Sequence, residues 1–166
     1  DYLNNAVRKI SYTPIVGTIT GPSVECVGAS ILLTDTAAVG AWSSSSTIAS
    51  VAGGWVTGVS PGVATITYSD TSDCYSASDS RTLTVNPLPD ADTITGPNTV
   101  CAGDTIYLAD GGVGGLWSSA NSNALVDSGM VLGLLPGVDT ISYWVNNSCG
   151  TDIAWMEISI IDCNVG

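Results

Sequence analysis

The chain contains no histidine and no phenylalanine, and its only basic residues are Arg8, Lys9 and Arg81. Without histidine it has neither a conventional Ser-His-Asp or Cys-His nucleophilic site nor a histidine-ligated zinc site. Fifteen acidic residues bring the net charge to −12, which argues against nucleic acid and anionic membranes as partners. No apolar run approaches the roughly 18–20 residues that span a bilayer, so we expect no membrane insertion.

Threonine, serine, glycine and valine are abundant, whereas lysine and glutamate, which favour helices, are scarce. Apolar residues make up 45% of the 166 residues, which is enough for packed cores. This composition favours strands and turns.

The sequence repeats itself after 75 residues without a gap. Ile19-Thr20-Gly21-Pro22 matches Ile94-Thr95-Gly96-Pro97, and Trp42-Ser43-Ser44 matches Trp117-Ser118-Ser119. An ungapped match through loops as well as strands indicates a duplicated domain.

We therefore predict domain 1 at residues 14–87 and domain 2 at residues 88–166. The joint is the short proline-rich linker Asn86–Asp90, which we expect to be semi-rigid. Residues 1–13 fall outside the repeat.

Strand signals within each repeat are short and closely spaced. In the first repeat they are Ser30–Thr34, Gly54–Gly58, Ala64–Tyr68 and Arg81–Val85, with a tight turn at Pro61-Gly62. About seven short strands in each repeat predict an all-β fold of two tandem β-sandwiches. Trp42 and Trp117 are predicted to fill the space between sheets, with ligand stacking as the alternative.

Four of the five cysteines occupy equivalent positions in the two repeats, and the fifth does not. Because equivalent cysteines should close equivalent loops, the simplest pairing is Cys26–Cys74 and Cys101–Cys149, predicted to staple one end of each sandwich. Such loops stabilise a small domain by roughly 4 kcal/mol in the chain-entropy model. Cys163 is left over, either as an unpaired residue at a domain boundary or as a bridge to another chain.

The repeated pattern, with ITGP, a cysteine, WSS and the stretch Gly54–Tyr68, resembles the immunoglobulin-like repeats of secreted and surface proteins of Bacteroidetes, akin to those of intimin- and invasin-type adhesins. The resemblance covers both repeats and implies two tandem immunoglobulin-like domains in an extracellular, non-enzymatic protein. This family has no shared catalytic residues. Disulfides are also typical of an oxidising, extracytoplasmic environment.

The N-terminal segment resembles the last strand of such a domain. Shifted by 73 residues, Arg8–Pro14 aligns with Arg81–Pro87 in its basic residue, alternating apolar positions and proline. This orphan strand either lies against the first domain or adds to a sheet of a neighbouring chain. Strand addition would make Val7, Ile10, Tyr12 and Cys163 candidate intermolecular contacts, and its head-to-tail contact would propagate as a homopolymer. The alternative partners are neighbouring Ig-like repeats.

The first functional hypothesis is a structural building block of a bacterial surface filament, stalk or adhesin, located outside the cell or at its surface. The alternative is a ligand- or glycan-binding module of a larger secreted protein, with Trp55, Trp144 and Trp155 as candidate exposed aromatics. These three tryptophans are expected to serve variable core or surface packing if no ligand binds.

We expect no enzyme and no cofactor. Asp70 with Asp73, or Asp90 with Asp92, are paired carboxylates in loops and linker, where aspartates usually cap turns. Loop carboxylates also suit calcium, but no EF-hand spacing is present, and a calcium ion between the domains stays an alternative. The cysteines lack CxxC spacing, so no metal site is expected from them.

Overall fold

A computed structural model of the chain describes residues 16–37, 39–72 and 75–163. The chain divides into two compact units between Pro87 and Leu88, called unit 1 and unit 2 below. The N-terminal candidates Val7, Ile10 and Tyr12 lie outside the described residues, as do Asp73 and Cys74.

Seven strands form among the described residues of each unit. In unit 1 they are β1 (Val24–Cys26), β2 (Ser30–Leu32), β3 (Ala41–Ser44), β4 (Ala49–Ala52), β5 (Trp55–Gly58), β6 (Gly62–Ser72) and β7 (Tyr75–Asn86). In unit 2 they are β8 (Thr99–Cys101), β9 (Thr105–Tyr107), β10 (Leu116–Ser119), β11 (Ala124–Asp127), β12 (Met130–Gly133), β13 (Gly137–Asn147) and β14 (Gly150–Ile161). No helix that could span a membrane occurs in this described part of the chain.

Each unit is a sandwich of a four-stranded and a three-stranded sheet. The orders are β1-β7-β6-β3 with β2-β5-β4 in unit 1, and β8-β14-β13-β10 with β9-β12-β11 in unit 2. The first strand of each unit pairs in parallel with the last, whereas all other ladders are antiparallel. The predicted all-β sandwich fold is therefore confirmed.

The chain reaches its first strand by crossing between the sheets. Thr20 bridges Thr34 beside the smaller sheet, and a few residues later Val24 pairs with Thr84 in the larger sheet. In unit 2, Thr95 bridges Ala109 in the same way. Each copy of the ITGP phrase thus lies where the chain passes from one sheet to the other.

The glycine of that phrase is required by geometry. Gly21 has φ 130° and Gly96 has φ 139°, values that side-chain-bearing residues rarely adopt. A Cβ at Gly21 would lie 2.7 Å from the Leu32 carbonyl oxygen, and one at Gly96 would lie 2.8 Å from the Tyr107 carbonyl oxygen. The backbone therefore approaches its neighbour too closely for any other residue.

Alternating apolar residues fill the space between the sheets. Ile66 and Leu83 are buried in unit 1, and Ile141 and Ile158 occupy the same positions in unit 2. The predicted core tryptophans are half-buried against these clusters, and their rings pack on Tyr68 and Tyr143 at centroid distances of 4.8 and 4.9 Å.

The strands of the long hairpin β6–β7 are longer than the sequence predicts. Ala64–Tyr68 and Arg81–Val85 are only the central parts of β6 and β7, which contain 11 and 12 residues. The strands extend through serine, threonine and aspartate, where no apolar alternation marks a strand.

Candidate functional site

The paired carboxylates are used in turns. The Asp90 carboxylate accepts a hydrogen bond from the Asp92 backbone N–H at 2.9 Å, and the Asp92 carboxylate accepts one from the Thr93 N–H at 2.7 Å. Asp70 is buried in β6, and its predicted companion Asp73 lies outside the described residues. Among the described residues no group of three or more potential metal ligands comes together.

Glu25 is a buried acid that the sequence did not single out. Its side chain is 4% exposed, and neither carboxylate oxygen has a hydrogen-bond partner among the described residues. Burial raises the pKa of the Glu25 carboxyl above its ordinary value, an effect that the nearby Gly58 N–H partly offsets. At the equivalent position unit 2 has Val100, which is also 4% exposed.

Asp139 shows the opposite arrangement in unit 2. Its carboxylate accepts hydrogen bonds from the backbone N–H groups of Ala120, Asn121 and Ala124 and from the Ser119 hydroxyl, at 2.8–3.2 Å. Asp139 is therefore a structural acid that holds the β10–β11 connection, because each oxygen accepts two of these bonds.

A disulfide in unit 2 differs from the predicted pairing. Cys101 bonds to Cys163 with a Cα–Cα distance of 5.5 Å, so the pair Cys101–Cys149 is wrong. The two proposed roles of Cys163, an unpaired boundary residue and a bridge to another chain, are also wrong, because its bond lies within the chain.

The parallel pairing of β8 with β14 explains the error. Cys101 lies opposite Ile161, and Cys163 follows two residues later. Cys149 precedes Gly150 at the other end of β14, about 36 Å away along an extended strand. A disulfide needs its Cα atoms within about 7 Å, so Cys101 and Cys149 are far out of reach.

Unit 1 lacks the counterpart of this bond, because Leu88 occupies the position equivalent to Cys163. Cys26 and Cys149 are each disulfide-bonded. The predicted pair Cys26–Cys74 includes a residue outside the described part of the chain.

The free edge of β14 is the first candidate interaction feature. Only Ser159, Ile160 and Ile161 pair with β8, so nine residues, Gly150–Ile158, pair with β13 on one side and have no described strand on the other. A 2.9 Å hydrogen bond from the Ala91 N–H to the Asp152 carboxylate lies on this stretch.

The second candidate is the outer face of the larger sheet in unit 2. Two adjacent rows across β10, β13 and β14 carry four exposed apolar side chains. These residues, called the apolar face below, are Leu116, Trp144, Ile153 and Trp155. The candidate tryptophans Trp144 and Trp155 are 45% and 68% exposed and share this face, whereas Trp55 is exposed on β5 of unit 1.

A groove of about 550 Å³ borders the apolar face. It is lined by Leu116, Trp117, Ser118, Trp144, Asn146 and Thr151. This volume lies within the range of small-molecule sites, roughly 300–1,000 Å³. The polar groups of the groove are the hydroxyls of Ser118 and Thr151 and the side-chain amide of Asn146.

Several solved structures resemble the chain at low sequence identity. A mouse CEACAM1b structure is 12% identical with a TM-score of 0.40, covering 87% of this chain and 99% of that one. Human protocadherin-24 EC1-2 is 12% identical with a TM-score of 0.46, covering 90% and 99%. Each unit has the two-sheet, seven-stranded architecture of an immunoglobulin-like β-sandwich.

A SusE-like surface-located polysaccharide-binding protein of Bacteroides thetaiotaomicron is 11% identical, with a TM-score of 0.36. The match covers 88% of this chain but 34% of that protein, so the chain spans about a third of its length. No protein-family model and no curated protein matches the chain. These similarities concern the type of fold and leave the function to be argued from the residues.

Proposed function

We propose that the chain is a non-enzymatic extracellular structural protein, a building block of a bacterial surface filament, stalk or adhesin. Copies assemble head-to-tail, with the N-terminal strand of one copy added to the free edge of β14 in the next. The observation that carries the proposal is this edge, where nine residues have no described strand on one side, in a chain whose residues 8–13 are predicted from the sequence to form a strand.

The dimensions are compatible with strand addition. The edge Gly150–Ile158 is about 30 Å long, whereas a strand at Arg8–Thr13 needs about 20 Å. Main-chain hydrogen bonds would supply affinity, and alternate side chains would fix the register. Exposed strand edges are otherwise an aggregation hazard, so a long edge favours a specific partner.

The alternation in the N-terminal segment supports its role as a strand. In its alignment with β7, Ile10 corresponds to Leu83 and Tyr12 to Val85, and both residues of β7 are buried in the core. Ile10 and Tyr12 therefore have the side chains of a strand that buries one face. A donor at one part of the chain and an acceptor at another form a heterologous contact, which propagates unless it closes.

Electron microscopy and light scattering test the assembly. The full chain should form polymers with a mass that grows with concentration, and a variant lacking residues 1–13 should be monomeric. A peptide of residues 1–13 should inhibit polymerisation, whereas the same peptide with Ile10→Asp and Tyr12→Asp should not. A full chain that is monomeric at every concentration, or polymers that persist without residues 1–13, would rule out strand exchange.

A further inference from the structure

We propose that the apolar face of unit 2 binds a neutral polysaccharide, with Trp144 and Trp155 as stacking platforms. Such binding would involve unit 2 alone and would not require head-to-tail assembly.

Each row crosses three strands. The first row aligns Leu116, Trp144 and Ile153, and the second aligns Ser118, Ser142 and Trp155. Trp144 and Trp155 are diagonal neighbours on paired strands, a relation in which residues lie about 7–8 Å apart. Two indoles on one face of the sheet thus offer adjacent flat surfaces.

Unit 1 shows that the fold does not require this surface. At the positions of Leu116, Trp144, Ile153 and Trp155, unit 1 has Ala41, Ser69, Ser78 and Ser80. The register is the same, with Ala41 opposite Ser69 and Ser69 opposite Ser78. A sandwich of the same topology therefore forms with small side chains here, and the bulky apolar residues of unit 2 need another explanation.

Polar groups beside the indoles suit a sugar. Asn146 lies opposite Thr151 in the β13–β14 ladder, and both line the groove with Ser118. Hydroxyl and amide groups donate and accept hydrogen bonds with sugar hydroxyls, while the apolar face of a pyranose ring packs on an indole. All of these polar groups are uncharged.

Charge selects among possible occupants. Unit 2 contains nine acidic residues and no lysine or arginine, so an anionic polysaccharide or a phosphate surface would be repelled. A neutral polysaccharide meets no such penalty, and it matches the combination of indoles and uncharged polar groups.

Affinity electrophoresis of the full chain tests the proposal, with gels containing laminarin, mannan or dextran, and alginate as the anionic control. The wild-type chain should be retarded by at least one neutral polymer and not by alginate. Trp144→Ser and Trp155→Ser, which install the residues of unit 1, should each weaken that retardation by roughly 10- to 30-fold. Trp55→Ser, which removes an exposed tryptophan from unit 1, should bind as the wild type does.

Thermal unfolding of every variant, together with sedimentation velocity, completes the test. The serine variants should keep the wild-type melting temperature, since both side chains are exposed. Absence of binding to all three neutral polymers would overturn the proposal, as would equal binding by Trp144→Ser. Self-association that disappears in the two serine variants would instead identify a second copy as the occupant and would also overturn it.

Discussion

Glu25 is predicted to destabilise unit 1, and replacing it with valine should stabilise that unit. The substitution installs the residue that unit 2 has at the equivalent position, where Val100 is as deeply buried as Glu25. Both carboxylate oxygens lack hydrogen-bond partners among the described residues, and the nearby Gly58 N–H only partly offsets their desolvation. Removing such a group is expected to increase the free energy of unfolding by about 1–3 kcal/mol at pH 7.

The stabilisation should depend on pH. The pKa of Glu25 is raised in the folded state above its ordinary value of 4.5, so the folded state holds the proton more tightly. The stability linked to that proton is fully present below pH 4.5 and is lost as pH rises through the folded-state pKa. The advantage of Glu25→Val over wild type should therefore be larger at pH 7 than at pH 4.

Hydrogen exchange measured by mass spectrometry resolves the two units. Peptides from β1 and β7 should gain protection in Glu25→Val, while peptides from β13 and β14 serve as the internal reference. A gain of 1 kcal/mol corresponds to a rise of about 4–8 °C in the melting temperature of a domain of this size. The reciprocal variant Val100→Glu should lower the protection of unit 2. Glu25→Val that destabilises unit 1, or a gain that does not change with pH, would refute the reasoning.

Three further perturbations address unit 2. Asp139→Ala should lower the free energy of unfolding by about 2–4 kcal/mol in urea titration, because three backbone N–H groups lose a charged acceptor; an unchanged midpoint would contradict this. Cys163→Ser should cost about 4 kcal/mol in the chain-entropy model for a separation of 62 residues, and peptide mapping of the oxidised wild type should recover Cys101 linked to Cys163. A Cys101–Cys149 peptide would disprove that pairing. Gly115→Ala should lower the melting temperature of unit 2, because a Cβ there would overlap the Tyr143 ring. The hydroxyl of that ring accepts a hydrogen bond from the Gly115 N–H. A variant as stable as wild type would show that the ring can move.

Local patterns in the sequence predicted the sandwich fold well. The duplication located two units because equivalent residues recur at one spacing, as Trp42 and Trp117 do. Those tryptophans pack against the cores as expected, since side-chain alternation depends only on neighbours along a strand. Strand ends were harder to predict, because β6 and β7 continue through polar residues. These residues are in strands because they pair with the opposite strand of the hairpin.

The 75-residue repeat and the local patterns were enough to predict two similar β-sandwiches, whereas the strand predicted at residues 8–13 lies outside the described residues. Tertiary structure decided which distant residues meet, because that depends on strand direction and register. Parallel pairing of β8 with the end of β14 brought Cys101 to Cys163, and register across β10, β13 and β14 gathered Trp144 and Trp155 on one face. The burial of Glu25 could not be predicted for the same reason, because the strand that pairs with β1 lies far away in the sequence.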